Sequence, residues 1–227
     1  MALPTRDVAR SPLAVARCRS LLATALLVAT SGCGLIADSH NRKGVRSAYR
    51  GDYQSAMASF QKAVARDPKN SDAQYNMAAA LHKIGKQTGN QQYLQQAEQL
   101  YNQSLDNNSG NVDAYRGLAV LLAETQRSEK AFTFMKHWVQ TDPTNPDPHT
   151  ELARLYNEFK DKDAAIAELQ AALRIDHQNA RALTALAALR ESEGNRMQAL
   201  EIYQRAYAAQ PRPEVANRIA SLQQSVG

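Results

Sequence analysis

Five alanines, Ala56, Ala97, Ala131, Ala165 and Ala199, limit what this chain can fold into. The last four are 34 residues apart, and the first gap of 41 is the same period plus a seven-residue insertion. A fixed period of this size marks a stack of similar small units, each burying its apolar face against its neighbours. Such a stack offers an extended binding surface, and that role is expected here in place of catalysis.

The columns around these alanines repeat as well. Phe60, Tyr101, Met135, Leu169 and Tyr203 lie four residues later, and Ala63, Ser104, Trp138, Ala172 and Ala206 lie seven later. Upstream, the pairs Met77-Ala78, Leu118-Ala119, Leu152-Ala153 and Leu186-Ala187 recur. Twelve after each marker stand Pro68, Ser109, Pro143, His177 and Pro211. Leu152, Ala153 and Tyr156 share one face of a first helix; Ala165, Leu169, Ala172 and Leu173 share one face of a second. Alanine at a helix crossing lets the axes approach within about 8–10 Å, and the bulky column fills the space beside it. Proline restricts the residue before it and lacks an N–H, so Asp67-Pro68 and Asp142-Pro143 end second helices. Pro146, after Asn145, suits the first helical position behind an N-cap.

These small–bulky–small columns, with segments such as Gly51-Asp52-Tyr53 through Asp67-Pro68, resemble the tetratricopeptide repeat (TPR). The resemblance implies an all-α, right-handed superhelical solenoid of five helix hairpins at 37–70, 71–111, 112–145, 146–179 and 180–213. A capping helix and tail follow at 214–227, where Val215, Ile219 and Leu222 give one apolar face. Two departures stand out. Lys43 and Ser47 occupy apolar or large positions of later repeats, which weakens the case for the first helix of the first repeat. The insertion around Gly85–Tyr93 lengthens either a turn or a helix end.

The N-terminus carries a second signal. Arg6, Arg10, Arg17 and Arg19 precede an apolar run at 21–30, and Ser31-Gly32-Cys33 follow. A basic stretch, a short apolar run and small residues read as a secretory signal over 1–32. The run is shorter than the ~20 residues that span a bilayer. Its end resembles a bacterial lipobox with Thr30 where a larger aliphatic residue is usual; this implies cleavage before Cys33 and lipidation of its thiol and amine, as by palmitate. Cys18, in the leader, is the chain's other cysteine, so the mature chain forms no internal disulfide. Residues 33–36 would be a lipid anchor with a very short linker. Gly34, where Asp often marks inner-membrane retention in Gram-negative lipoproteins, implies the outer membrane, facing the periplasm.

The formal charge of +5 falls to +2 once the leader, with four Arg and one Asp, is set aside. No basic run interleaved with aromatics suggests nucleic acid. The histidines His40, His82, His137, His149 and His177 are scattered, with no i, i+4 pair for zinc, and no glycine-rich phosphate loop is present. No catalytic residue, metal site or cofactor is expected. Trp138 falls in a packing column and His177 in a turn column. An enzyme with an unrecognised groove site is the alternative of another class.

In TPR proteins the first helices line a concave groove. The resemblance therefore implies a protein or peptide partner held by Tyr75, Asn76, Arg116, Glu151, Arg154, Asn157 and Arg181. Interface energy concentrates in Tyr and Arg, which favours Tyr75, Arg116 and Arg154; pairing of either arginine with Glu124, Glu151 or Glu158 is the competing reading. Similar small lipoproteins assemble type IV or tight-adherence (Flp) pili and localise secretin subunits; others dock peptidoglycan hydrolases. Oligomeric state is left open.

Overall fold

The computed structural model describes residues 35–226, and among these the chain is eleven helices with no strand. In order they are α1 (35–49), α2 (Tyr53–Arg66), α3 (Ser71–Thr88), α4 (Gln91–Asn107), α5 (Val112–Glu124), α6 (Ser128–Thr141), α7 (Pro146–Glu158), α8 (Lys162–Ile175), α9 (Ala180–Ser192), α10 (Arg196–Ala209) and α11 (Pro213–Val226). The first ten form five antiparallel hairpins. Each hairpin packs on the next, so the core is a continuous seam between hairpins.

The small residues let that seam close. Ala56, Ala97, Ala131, Ala165 and Ala199 are all fully buried. The bulky column of Phe60, Tyr101, Met135, Leu169 and Tyr203 is buried beside it. Gly44 stands twelve before its marker alanine, in register with Ala78, Ala119, Ala153 and Ala187; a Cβ on it would come within 2.4 Å of the Phe60 ring. This contact explains why residues 35–49 are helical despite Lys43 and Ser47. Lys43 is exposed, and Gly44 and Ala37 make the buried contacts.

An asparagine column organises the hairpin starts. Asn70, Asn111, Asn145 and Asn179, each fourteen after a marker alanine, cap α3, α5, α7 and α9 by accepting hydrogen bonds from backbone N–H groups. The fifth place in the column is Pro213, the first residue of α11. Within hairpins, the turns carry one left-handed residue each: Gly51, Gly89, Gln126, Lys160 and Gly194. Glycine adopts this conformation without strain, whereas an L side chain costs roughly 1–2 kcal/mol.

The insertion lengthens helices. α3 has 18 residues and α4 has 17, against 13 in α5, α7 and α9 and 14 in α6, α8 and α10. The turn between α3 and α4 is only Gly89-Asn90. Leu94 packs on Gly85 and holds the extensions together. No loop stands at Gly85–Tyr93.

Serine at 104, in an otherwise apolar column, has a structural reason. Ser104 is fully buried at the foot of α3, where its hydroxyl donates to the Ser71 carbonyl (2.9 Å) and lies 3.0 Å from Oγ of Ser71. Asn111 donates to both hydroxyls, at 3.0 and 3.1 Å. Trp138, in the same column, is buried and stacks on Tyr115 with ring centroids 3.7 Å apart. At the C-terminal end α11 covers the last hairpin with Val215 and Leu222, both buried, and Ile219 alongside.

Candidate functional site

Consecutive first helices touch: α3 meets α5, α5 meets α7, and α7 meets α9, while the described second helices make no comparable contacts with one another. The stack is therefore tighter along its first helices. Their shared face carries an unbroken seam of polar contacts. Asn76 on α3 donates to Asn41 on α1 (3.0 Å). Glu124 on α5 receives His82 (3.0 Å) and Lys86 (2.5 Å) from α3. Arg116 on α5 grips Glu151 on α7 through Nε (2.8 Å) and a terminal nitrogen (2.5 Å). Arg181 on α9 bonds the same Glu151 carboxylate and also Asp147 (2.9 Å). Arg218 on α11 pairs with Glu191 on α9.

Glu151 is the centre of this seam. Its side chain is 2% exposed, and it serves arginines from the hairpins on either side. A buried carboxylate needs paired donors to offset desolvation, and two guanidinium groups supply them. Hydrogen bonding to Glu151 raises the Arg116 pKa further. At the other end, burial lowers the His82 pKa against the opposing pull of Glu124. Burial pushes Glu124 up, but hydrogen bonds from Lys86 and His82 outweigh it and hold the carboxyl below its ordinary value.

Two hollows flank the seam. The larger, about 530 Å³, lies between α1, α2 and α3 and is lined by Tyr49, Tyr53, Phe60, Tyr75, Asn76 and Lys83 among others. Tyr75 is half-buried, 6.1 Å from the Tyr101 ring, and burial raises its pKa. Tyr49 is 89% exposed. The second, about 380 Å³, lies between α7 and α9 and includes Arg154, Asn157, Glu158, Ala188 and Ser192. Among the described residues no group of three potential metal ligands converges, and no helix is long and apolar enough to cross a membrane.

Models of the tetratricopeptide repeat match residues 47–85, 89–146 and 129–189, a nearly continuous run across these hairpins. The chain is a tetratricopeptide-repeat protein. No curated protein matches it in sequence. Among solved structures it is similar to a thermophilic TPR protein of Thermus thermophilus, at 23% identity and a TM-score of 0.60, covering 83% of this chain and 99% of that one. It is also similar to pilF of Pseudomonas aeruginosa, at 18% identity and a TM-score of 0.54, covering 86% and 92% respectively. At these identities the likeness concerns the fold.

The TPR geometry divides the expected groove residues into three groups. Tyr75 and Asn76 line the larger hollow, and Arg154 and Asn157 line the smaller. Arg116, Glu151 and Arg181 lie between the hollows, engaged with one another across the repeats. Arg154 stays largely exposed, with Nε 3.7 Å from Glu151. Tyr49 and Tyr53 are not among the groove residues that the sequence implies, because those begin with the second repeat. Their position either side of the Gly51 turn, in register with the other hairpin turns, was the available signal. Cys33 lies outside the described residues.

Proposed function

We propose that this TPR chain is a protein-binding scaffold that takes an extended peptide or a helix along its first-helix face. The observation that carries the reading is the tyrosine-lined hollow between α1, α2 and α3, contiguous with a face whose charges are already locked together. In a curved stack the tighter side is the inner one, and the contacts among the first helices support a groove on that side. Tyrosine gives large contact area at low conformational cost, and a groove of helices suits peptide or helix docking. The paired Arg116, Glu151 and Arg181 act as a rigid floor, and Tyr49, Tyr75 and the exposed Arg154 supply contacts. The N-terminal sequence supports a lipid-anchored periplasmic protein, with Cys33 acylated at the outer membrane. With the lipobox-like N-terminus and a TPR array, a place in pilus or secretion-machinery assembly is the role proposed for it.

Site-specific photo-crosslinking in the native host tests the groove. One probe replaces Tyr75; the other replaces Gln170, exposed on α8. One protein captured from position 75 and not from 170 is the expected result. Equal capture at both positions, or capture from 170 alone, would sink the groove reading. Labelling with a palmitate analogue, lost in Cys33→Ser, tests the anchor separately.

A further inference from the structure

The positive charge of the array is gathered at one end. Residues 35–66, comprising α1 and α2, hold Arg42, Lys43, Arg46, Arg50, Lys62 and Arg66 against Asp38 and Asp52, a net charge of +4. Residues 67–226 hold 17 basic and 19 acidic residues, a net charge of −2. α2 itself contains no acidic residue.

The charges on α1 also share a side. Ala37 and Gly44 mark its buried face. At 100° per residue the opposite face carries Leu35, Arg42 and Arg46, with Lys43 to one side and Arg50 in the turn beyond, and all are exposed. Ile36 and Tyr49 flank it, with Leu35 at 72%, Ile36 at 46% and Tyr49 at 89% exposure. The lone acid of α1, Asp38, accepts a hydrogen bond from Asn70 at the start of α3. Among the described residues none of the four bases takes part in an ion pair, whereas Arg116, Arg127, Arg181 and Arg218 elsewhere all do.

We propose that the outer face of α1 is a docking surface for an anionic phospholipid bilayer. Lysine and arginine meet lipid phosphates, while Leu35 and Ile36 enter the headgroup boundary, the combination that distinguishes an interfacial helix from a purely charged patch. A nucleic acid or an acidic protein would use the bases and leave the aliphatic pair exposed to water. The proposal deepens the envelope reading above, in which Cys33 tethers the chain two residues before Leu35. The face would lay the first hairpin on the membrane and orient the groove relative to it. Acyl chains on Cys33 fix the attachment point, and a basic surface beside them adds the contact that fixes the orientation of the first hairpin.

The test uses the full chain with Cys33→Ser, so that no acylation contributes, and vesicles of phosphatidylcholine alone or with phosphatidylglycerol. A partner chain adds Arg42→Gln, Lys43→Gln, Arg46→Gln and Arg50→Gln; everything before residue 35 is common to both. A control carries Arg174→Gln, Arg196→Gln and Arg205→Gln, exposed at the other end of the array. At low ionic strength each base removed from α1 lowers affinity for the anionic vesicles about fivefold, and added salt narrows the difference. The control binds like the parent, and circular dichroism shows all three folded. Equal binding of parent and α1 variant to anionic vesicles, or parent binding that ignores lipid charge, overturns the proposal. So does a parent that ignores the vesicles while an acidic protein binds the α1 face. Absence of palmitate labelling on the unsubstituted chain in cells would overturn the anchor and leave this result untouched.

Discussion

At the scale of single residues, Glu151 is where the chain invests most in one side chain. It is buried on the face that would otherwise be exposed between α5, α7 and α9, and two arginines close on it. Removing one member of such a set leaves the others partly desolvated without a counter-charge, which costs more than the set itself contributes. Arg116 and Arg181 remain about one third exposed, so water takes up part of the loss. Glu151→Ala is therefore expected to destabilise by about 2–4 kcal/mol, whereas Asp113→Ala, which loses an exposed i, i+3 pair with Arg116, changes stability by less than ~1 kcal/mol. Equilibrium urea unfolding of the two variants checks this; similar midpoints would mean that Glu151 is not the keystone. The sequence offered Glu151 only as a groove contact or as a possible partner of an arginine. That one carboxylate serves two neighbouring repeats depends on how closely the first helices approach, and spacing along the chain does not report that distance.

At the scale of the helix, the sequence was most legible where one residue type acts locally. Alanine columns, Pro68 and Pro143 after their non-helical aspartates, and Asn145 before Pro146 all mark ends or faces that backbone chemistry dictates. The asparagine column was equally periodic, yet only Asn145 drew attention, because asparagine also serves ordinary turns. The insertion could not be assigned from its letters: Gly85 and Gly89 suggest a turn, but only Gly89 is left-handed, and Gly85 is buried in α3 under Leu94. Caps with different duties should separate energetically. Asn179 accepts from the Ala182 N–H alone, so Asn179→Ala should cost about 1 kcal/mol. Asn111 caps α5 and also donates to the Ser71 and Ser104 hydroxyls between hairpins. Asn111→Ala thus removes a cap and strips a partly buried network, with an expected cost of about 2–3 kcal/mol. Chemical unfolding of both variants decides it, and equal costs would show that the serine pair adds nothing.

At the scale of the whole molecule, each hairpin contacts only its neighbours, so the ends decide whether the stack persists. The two ends are finished differently. At the first, α1 presents a charged face with Leu35 and Ile36 exposed; at the last, α11 buries Val215 and Leu222 against α9 and α10. Ending the chain at Gln210 removes those two side chains, worth about 1.5–3 kcal/mol each when buried, together with the Arg218–Glu191 pair. It also uncovers the apolar side of the last hairpin. In a stack held by nearest-neighbour contacts the damage should be graded: α9 and α10 lose protection from hydrogen exchange first, while α3 to α6, several interfaces away, keep theirs. Hydrogen exchange along the truncated chain provides the measurement. Uniform loss of protection across all helices would instead mean that the stack unfolds as one cooperative unit and that α11 closes a global structure. A graded loss leaves the tyrosine-lined hollow at the opposite end intact, so the same truncated chain should still be captured through position 75.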